Sequence, residues 1–243
     1  MSMPSSAMLL AAGLGTRMRP LTLTRPKPLV EVAGRQLIDH AVERLREAGV
    51  QRVVVNIHWL ADMMREWVER QVPPPEFLVS DETEQLLETG GGLRKALPLL
   101  GPEAFYAINT DSIWLDEGTP ALCRLAKTWD EERMDCLVLT VPPQRAVGHA
   151  GGGDFVLSSD GRVRRAAGET DAEVFTGVQL VHPRLFSYAP EGPFSMNLLF
   201  DVAMKAGRMY ALSHDGLWLH VGTPEAISEA EEVMAARKAD GSA

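Results

Sequence analysis

Apolar runs and helical stripes take turns along the first half of the chain. Residues 7–12 form an apolar run suited to a buried strand, and the run stops at Gly13-Leu14-Gly15. Leu37, Ile38, Ala41, Val42 and Leu45 then recur at helical spacing, with Gly49 as the stop. Residues 52–57 read as a β-branched strand. Residues 60–71 read as a second helix broken by Pro73-Pro74-Pro75, and Phe77-Leu78-Val79 returns to strand. A glycine cluster at Gly90-Gly91-Gly92 leads into a short helix over 93–97. After it come a strand over 105–109, a helix over 121–129 and a strand over 136–141.

Beyond that point the pattern changes to shorter strands over 154–157, 162–164 and 173–181, joined by polar turns such as Ser159-Asp160-Gly161. A strand over 217–221 follows. Thr223 as N-cap, Pro224 at the first helical position and Glu225 in the first turn then start a helix running to about Arg237. The alternation predicts an α/β fold: a Rossmann-like, mixed but mainly parallel central sheet flanked by helices, with a small antiparallel lobe. The reading is one domain over 1–243, with halves at about 1–112 and 113–238 and a frayed tail at 239–243.

Composition narrows the class. In a chain of 243 residues, 45% hydrophobic and 23% charged residues suggest neither disorder nor a membrane protein, and no apolar run is long enough to span a bilayer. The opening residues lack a basic n-region, and Cys123 and Cys136, the only cysteines, offer neither a disulfide framework nor zinc spacing. A cytoplasmic protein is expected, as a monomer or small homo-oligomer. Its net charge of -9 argues against nucleic-acid binding. Yet all 33 acidic residues lie after residue 30, while the first 30 hold Arg17, Arg19, Arg25 and Lys27. One local basic region in an acidic protein suits a small polyanion accompanied by a divalent cation.

The Gly-x-Gly turn lets backbone come close to such a ligand, with turn amides, Arg17 and Lys27 as donors to phosphate. Prolines 20, 26 and 28 stiffen the connection. No Walker string occurs, and a dinucleotide fingerprint fails because its third glycine position is Met18. The glycines at 90–92 fit either a base-binding loop or an ordinary helix start. Asp111, after a predicted strand, fits either a Mg²⁺ ligand or an Asx-turn. Gly151-Gly152-Gly153-Asp154 fits a sugar contact or a hairpin loop, and Thr176-Gly177 fits close ligand approach or a bulge.

Gly13-Leu14-Gly15-Thr16-Arg17-Met18-Arg19-Pro20 followed by Pro26-Lys27-Pro28-Leu29 resembles the signature of the sugar-1-phosphate nucleotidyltransferases. Asn109-Thr110-Asp111 and Trp218-Leu219-His220-Val221-Gly222-Thr223-Pro224 lie in that family's order, so the resemblance covers nearly the whole chain. Leu87-Glu88-Thr89-Gly90-Gly91-Gly92, Lys95-Ala96-Leu97-Pro98-Leu99-Leu100-Gly101 and Gly153-Asp154-Phe155 resemble its N-acetylmuramate-1-phosphate uridylyltransferases. The resemblance implies a reaction in which a nucleoside triphosphate and a sugar-1-phosphate, here UTP and N-acetylmuramate-1-phosphate, give a nucleotide sugar and pyrophosphate. Mannose-1-phosphate guanylyl transfer, glucose-1-phosphate thymidylyl transfer and a non-catalytic sugar-nucleotide sensor are the competing readings.

By the same resemblance Leu10, Ala11, Ala12, Gly13, Gly15, Thr16, Arg17, Lys27, Glu88, Gly90 and Asn109 would surround the nucleotide. Arg17 would face the leaving pyrophosphate, and Lys27 the α-phosphate and the incoming phosphate. The sugar side, the antiparallel lobe, would hold Asp154, Glu173, Thr176, Gly177 and Asn197. Asp111 would hold Mg²⁺. Where the family usually has a second carboxylate this chain has His220, a poor ligand for a hard ion. Three explanations follow: His220 acts through water or on a softer metal such as Mn²⁺, Asp201 or Asp215 substitutes, or the metal site is degraded.

Overall fold

The computed structural model describes residues 3–239. In chain order the elements are β1 (Ser6–Leu10), the small hairpin β2 (Glu31–Val32) and β3 (Arg35–Gln36), α1 (Leu37–Glu47), β4 (Arg52–Ile57), α2 (Ala61–Glu69) and β5 (Glu76–Asp81). Next come α3 (Glu88–Leu100), β6 (Phe105–Asn109), β7 (Ser112–Leu115), α4 (Ala121–Thr128), β8 (Cys136–Val141) and β9 (Ala146–Val147). The chain continues through β10 (Phe155–Leu157), β11 (Val163–Arg165), β12 (Val174–Val181), α5 (Asn197–Lys205), β13 (Met209–Ser213), β14 (Leu217–His220) and α6 (Glu225–Ala239).

Seven strands form the central sheet in the order β13-β8-β12-β6-β1-β4-β5. All neighbouring pairs are parallel except those made by β12, which runs antiparallel to both β6 and β8. Successive residues of a strand point to opposite faces, and here both faces are covered. Ala7, Leu9, Val53 and Val55 pack with Ile38, Leu45, Trp67 and Leu125 from α1, α2 and α4. Met8 and Val54 pack with Leu93, Ala96, Leu199 and Phe200 from α3 and α5. A third cluster joins Met18, Val30 and Leu37 to Ile113, Leu219 and Ala230, tying the N-terminal loop to β7, β14 and α6.

Three expectations need correction. The strand over 173–181 is not part of the small lobe; it lies at the centre of the main sheet, where its apolar residues are covered on both faces. The lobe proper is the hairpin β10-β11. The expected strand over 217–221 is present as β14, in a separate three-stranded sheet, β7-β14-β9. Glycines 90–92 are not a loop but the buried first turns of α3, which runs on through Pro98 to Leu100. They are glycines because neighbours fill their space: a Cβ on Gly90 would lie 2.3 Å from the Phe194 ring, and one on Gly92 would lie 2.6 Å from Glu82 Oε1. Finally, α6 continues through Lys238 and Ala239; the remainder of the expected tail, 240–243, lies outside the described residues. No described helix is long and apolar enough to cross a membrane.

Candidate active site

Three parallel strands end side by side. Leu10 of β1 is in register with Asn109 of β6, and Leu9 with Val55 of β4. Their carboxyl ends therefore deliver Ala11-Ala12, Asn56 and Asn109-Thr110-Asp111 to one place, the edge where ligands gather in open α/β sheets. The Thr110 hydroxyl donates to Leu10 O at 2.9 Å and fastens the two strand ends together.

After Ala12 the chain makes the turn that the glycines permit. Gly15 has φ 60°, in the left-handed region, and a Cβ there would lie 2.9 Å from Thr22 Cγ2. The Thr22 hydroxyl donates to Gly15 O at 2.7 Å, and the indole of Trp59 donates to Thr22 O at 2.9 Å. Met18, which ruled out the dinucleotide fingerprint, is fully buried and pins the loop to the third cluster. Burying a side chain of that size stabilises by roughly 1.5–3 kcal/mol. The amides of Gly13, Leu14 and Gly15 have no protein acceptor among the described residues, whereas those of Ala11 and Ala12 are taken by Asn56 Oδ1 at 2.6 and 3.3 Å.

These residues border a cleft of about 250 Å³. Leu10, Ala11, Ala12, Gly13, Gly15, Lys27, Glu88, Asn109 and Asp111 line it, as do Pro28, Asn56, Leu86, Thr89 and Thr110. Thr16 and Arg17 stand exposed in the turn beside it. Gly90 is turned away, its amide donating to Phe194 O at 2.9 Å. Sequence reasoning passed over Asn56, whose one signal is a polar residue inside the apolar run Val53-Val54-Val55-Asn56-Ile57.

On the cleft wall Lys27 Nζ donates to Asp111 Oδ2 at 2.9 Å, and His220 Nε2 is 3.7 Å from the same oxygen. Burial works to raise the Asp111 pKa, but the adjoining His220 ring and Lys27 ammonium prevail and hold the carboxyl well below the usual range. The His220 ring stacks on Trp218, with centroids 5.3 Å apart and planes 7° from parallel.

Among the described residues no three His, Cys, Asp or Glu side chains form a metal cage. Asp201 pairs with Arg165 at 3.0 Å and Asp215 with Arg124 at 2.6 Å, so neither joins Asp111. This donor set fits a Mg²⁺ ion held by one carboxylate and completed by phosphate and water oxygens, an ordinary arrangement for Mg²⁺.

None of the residues assigned to the sugar side lines the cleft. Asp154 Oδ2 accepts from Phe175 N at 2.8 Å. Glu173 accepts from the hydroxyls of Thr140 and Ser213 at 2.6 and 2.8 Å. Asn197 accepts from Arg165 at 3.0 Å, and the buried Thr176 hydroxyl donates to Leu139 O at 2.8 Å. Gly177, at φ 82°, sits where the β12 register shifts, and its missing Cβ would lie 2.8 Å from Asn109 Cβ. It is a bulge glycine abutting Asn109.

Comparison with known proteins identifies the family. Residues 7–209 match the family described as the MobA-like NTP transferase domain. An N-acetylmuramate α-1-phosphate uridylyltransferase of Caulobacter vibrioides is 44% identical over 96% of this chain and 98% of its own. One from Neisseria meningitidis serogroup B is 35% identical over 96% and 99%. The crystal structure of HddC from Yersinia pseudotuberculosis complexed with GMP-PN shares the fold, with a TM-score of 0.76 at 22% identity over 95% and 99% of the two chains. With the Gly13–Gly15 turn at a strand end of this sheet and two relatives matched along nearly their full length, the chain belongs to the MobA-like NTP transferase family, as a sugar-1-phosphate nucleotidyltransferase.

Proposed function

We propose that this enzyme transfers a uridylyl group from UTP to N-acetylmuramate-1-phosphate, releasing pyrophosphate and forming UDP-N-acetylmuramate. The choice of base and sugar is supported by the two uridylyltransferase relatives. The observation that carries the chemistry is the placing of the Gly13–Gly15 turn, whose amides have no protein acceptor among the described residues, beside the Lys27–Asp111 pair at one cleft.

A sugar-phosphate oxygen attacks the α-phosphorus in line, the bond to the bridging oxygen breaks, and pyrophosphate departs with that oxygen. No covalent enzyme intermediate is needed, so positioning and charge stabilisation supply the catalysis. The loop amides and Arg17 would hold the β- and γ-phosphates, and Lys27 would bridge the α-phosphate and the attacking phosphate. Glu88, Thr89 and Asn109 would border the nucleoside, and Asp154, Glu173, Thr176, Gly177 and Asn197 the sugar side. Asp111 would hold Mg²⁺, which when bound supplies neutralising charge to the triphosphate. Mn²⁺ is the second candidate, through His220.

The test is pyrophosphate release by the purified protein with UTP, GTP, dTTP, CTP or ATP. Each is paired with N-acetylmuramate-, N-acetylglucosamine-, mannose- or glucose-1-phosphate, in Mg²⁺ and in Mn²⁺. Release with UTP and N-acetylmuramate-1-phosphate is expected. Faster release with GTP and mannose-1-phosphate, or with dTTP and glucose-1-phosphate, would overturn the assignment of base and sugar.

A further inference from the structure

At the back of the cleft lies a pair of buried polar side chains, Asn56 on its lining and Glu82 beneath. Asn56 is 3% exposed and Glu82 0%. Asn56 Oδ1 accepts from the amides of Ala11 and Ala12, and its Nδ2 donates to Glu82 Oε1 at 2.7 Å. Glu82 Oε2 accepts from Leu87 N at 3.0 Å. Gly92 closes the pocket, since a Cβ there would lie 2.6 Å from Glu82 Oε1 and 3.0 Å from Asn56 Nδ2. The chain of bonds thus runs from the β1 loop on one wall of the cleft to the residue preceding Glu88 and Thr89 on the other.

We propose that Glu82 is a positioning residue for the nucleotide. Through Asn56 it holds Ala11 and Ala12, through Leu87 it holds the start of α3, and the two walls are set as one unit. This inference rests on the reading that the nucleotide occupies this cleft. The donor pattern makes it specific: Glu82 offers two acceptors to two N–H donors, and buried donors left unpaired are costly. Glu82→Gln turns an N–H toward one of those donors, and Asn56→Asp sets oxygen against oxygen. Made together, the two changes restore every bond in mirrored form. The carboxylate introduced at position 56 accepts from Ala11, from Ala12 and from the amide nitrogen introduced at position 82. The amide oxygen at position 82 accepts from Leu87, and the formal charge is unchanged.

The experiment compares wild type, N56D, E82Q and N56D/E82Q. It measures binding of the nucleoside triphosphate that wild type binds most tightly, by calorimetry, then KM and kcat for pyrophosphate release. Each single change is expected to weaken nucleotide binding and raise its KM about tenfold, with kcat and the KM for sugar phosphate changed far less, and the double change to recover to within about threefold. Unchanged nucleotide affinity in E82Q, or a folded double variant no better than the singles, would overturn the inference. A wild type that binds nucleotide but releases no pyrophosphate fails the functional reading alone. Should the variants not fold, amide exchange in wild type decides. Nucleotide is expected to slow Ala11, Ala12 and Leu87 together, and slowing on one wall alone would overturn the coupling.

Discussion

Lys27 Nζ and Asp111 Oδ2 stand 2.9 Å apart across 84 residues of sequence, on the wall of the cleft at the strand ends. The lysine comes from the loop after β1 and the carboxylate from the turn after β6, so the ion pair exists only because those strands are neighbours. Its two charges suit the two parts of a metal–triphosphate: phosphate can take the ammonium while a cation takes the carboxylate. On the proposed reading, the pair would hold both groups at the cleft until phosphate and cation replaced it, which would limit reorganisation during the reaction.

Replacing either member is therefore expected to lower kcat by at least about 10²-fold, the usual cost of losing one preorganised charge donor at a transition state. Lys27→Met should do so at every Mg²⁺ concentration. Asp111→Asn should also flatten the dependence on Mg²⁺. Steady-state pyrophosphate release across a Mg²⁺ titration checks both, and near-wild-type rates in the two variants would remove the pair from the mechanism.

Much of this site was legible because its residues are close in sequence. Gly13, Gly15, Arg17 and Lys27 fall within 15 residues, and Asp111 follows a strand whose bounds, Phe105–Asn109, the apolar pattern marked correctly. What stayed hidden was tertiary. An apolar run such as Val174–Val181 looks the same whether its neighbours are parallel or antiparallel, so its central place in the sheet was missed. Glycines 90–92 looked like a loop because glycine disfavours helix; only the Phe194 ring and the Glu82 carboxylate explain why the helix keeps them. Edge strand β13 and helix α5 were likewise missed. Asn56 was concealed by the valines around it, and Glu82 by an acidic stretch that reads as solvated surface.

The second glycine cluster supplies a sharp contrast between neighbours. A Cβ on Gly152 would meet nothing within 4 Å, while one on Gly153 would lie 2.2 Å from the carbonyl carbon of Ala172. That backbone cannot yield without disturbing the bond from Asp154 N to Glu173 O at 2.7 Å. Gly152→Ala should change stability by less than about 0.5 kcal/mol, and Gly153→Ala should cost roughly 1–3 kcal/mol. Urea unfolding of both variants measures this, and equal effects would show that the loop relaxes freely.

Acid sensitivity near neutrality should come from buried histidines. Burial disfavours the charged form of His40 and lowers its pKa, against the opposing bond from Nε2 to Val32 O at 3.2 Å. The unfolded chain, with a value of about 6.5, binds the proton more readily than the folded protein. Its contribution is therefore fully present above about pH 6.5 and lost as pH falls from there through the lower folded value. The urea midpoint of wild type should drop between pH 7.5 and 5.5, above the range where carboxylates titrate. His40→Gln keeps a donor for Val32 O but cannot titrate, so its drop should be smaller. An identical drop in the variant would exclude His40 as a source.

His220 offers the most direct test of the metal side. Its ring is clamped between Trp218, on which it stacks, and Gly222, where a Cβ would lie 2.9 Å from Cε1. Its Nε2 faces Asp111, and Val221 N donates to Asp111 O at 2.9 Å, so this strand end is tied to the main chain that carries the carboxylate. His220→Asp would set a second oxygen ligand beside Asp111, and carboxylate count is a main determinant of affinity for hard cations. The Mg²⁺ concentration giving half-maximal rate should fall about tenfold, and any preference for Mn²⁺ should shrink. Without divalent cation the two carboxylates repel, so the variant should melt lower than wild type in EDTA and regain the difference when Mg²⁺ is added. His220→Ala serves as the control, since it removes the ring without adding an oxygen and should leave the Mg²⁺ requirement no lower. A folded His220→Asp protein whose rate and melting respond to Mg²⁺ as wild type does would place the cation away from the Asp111–His220 edge.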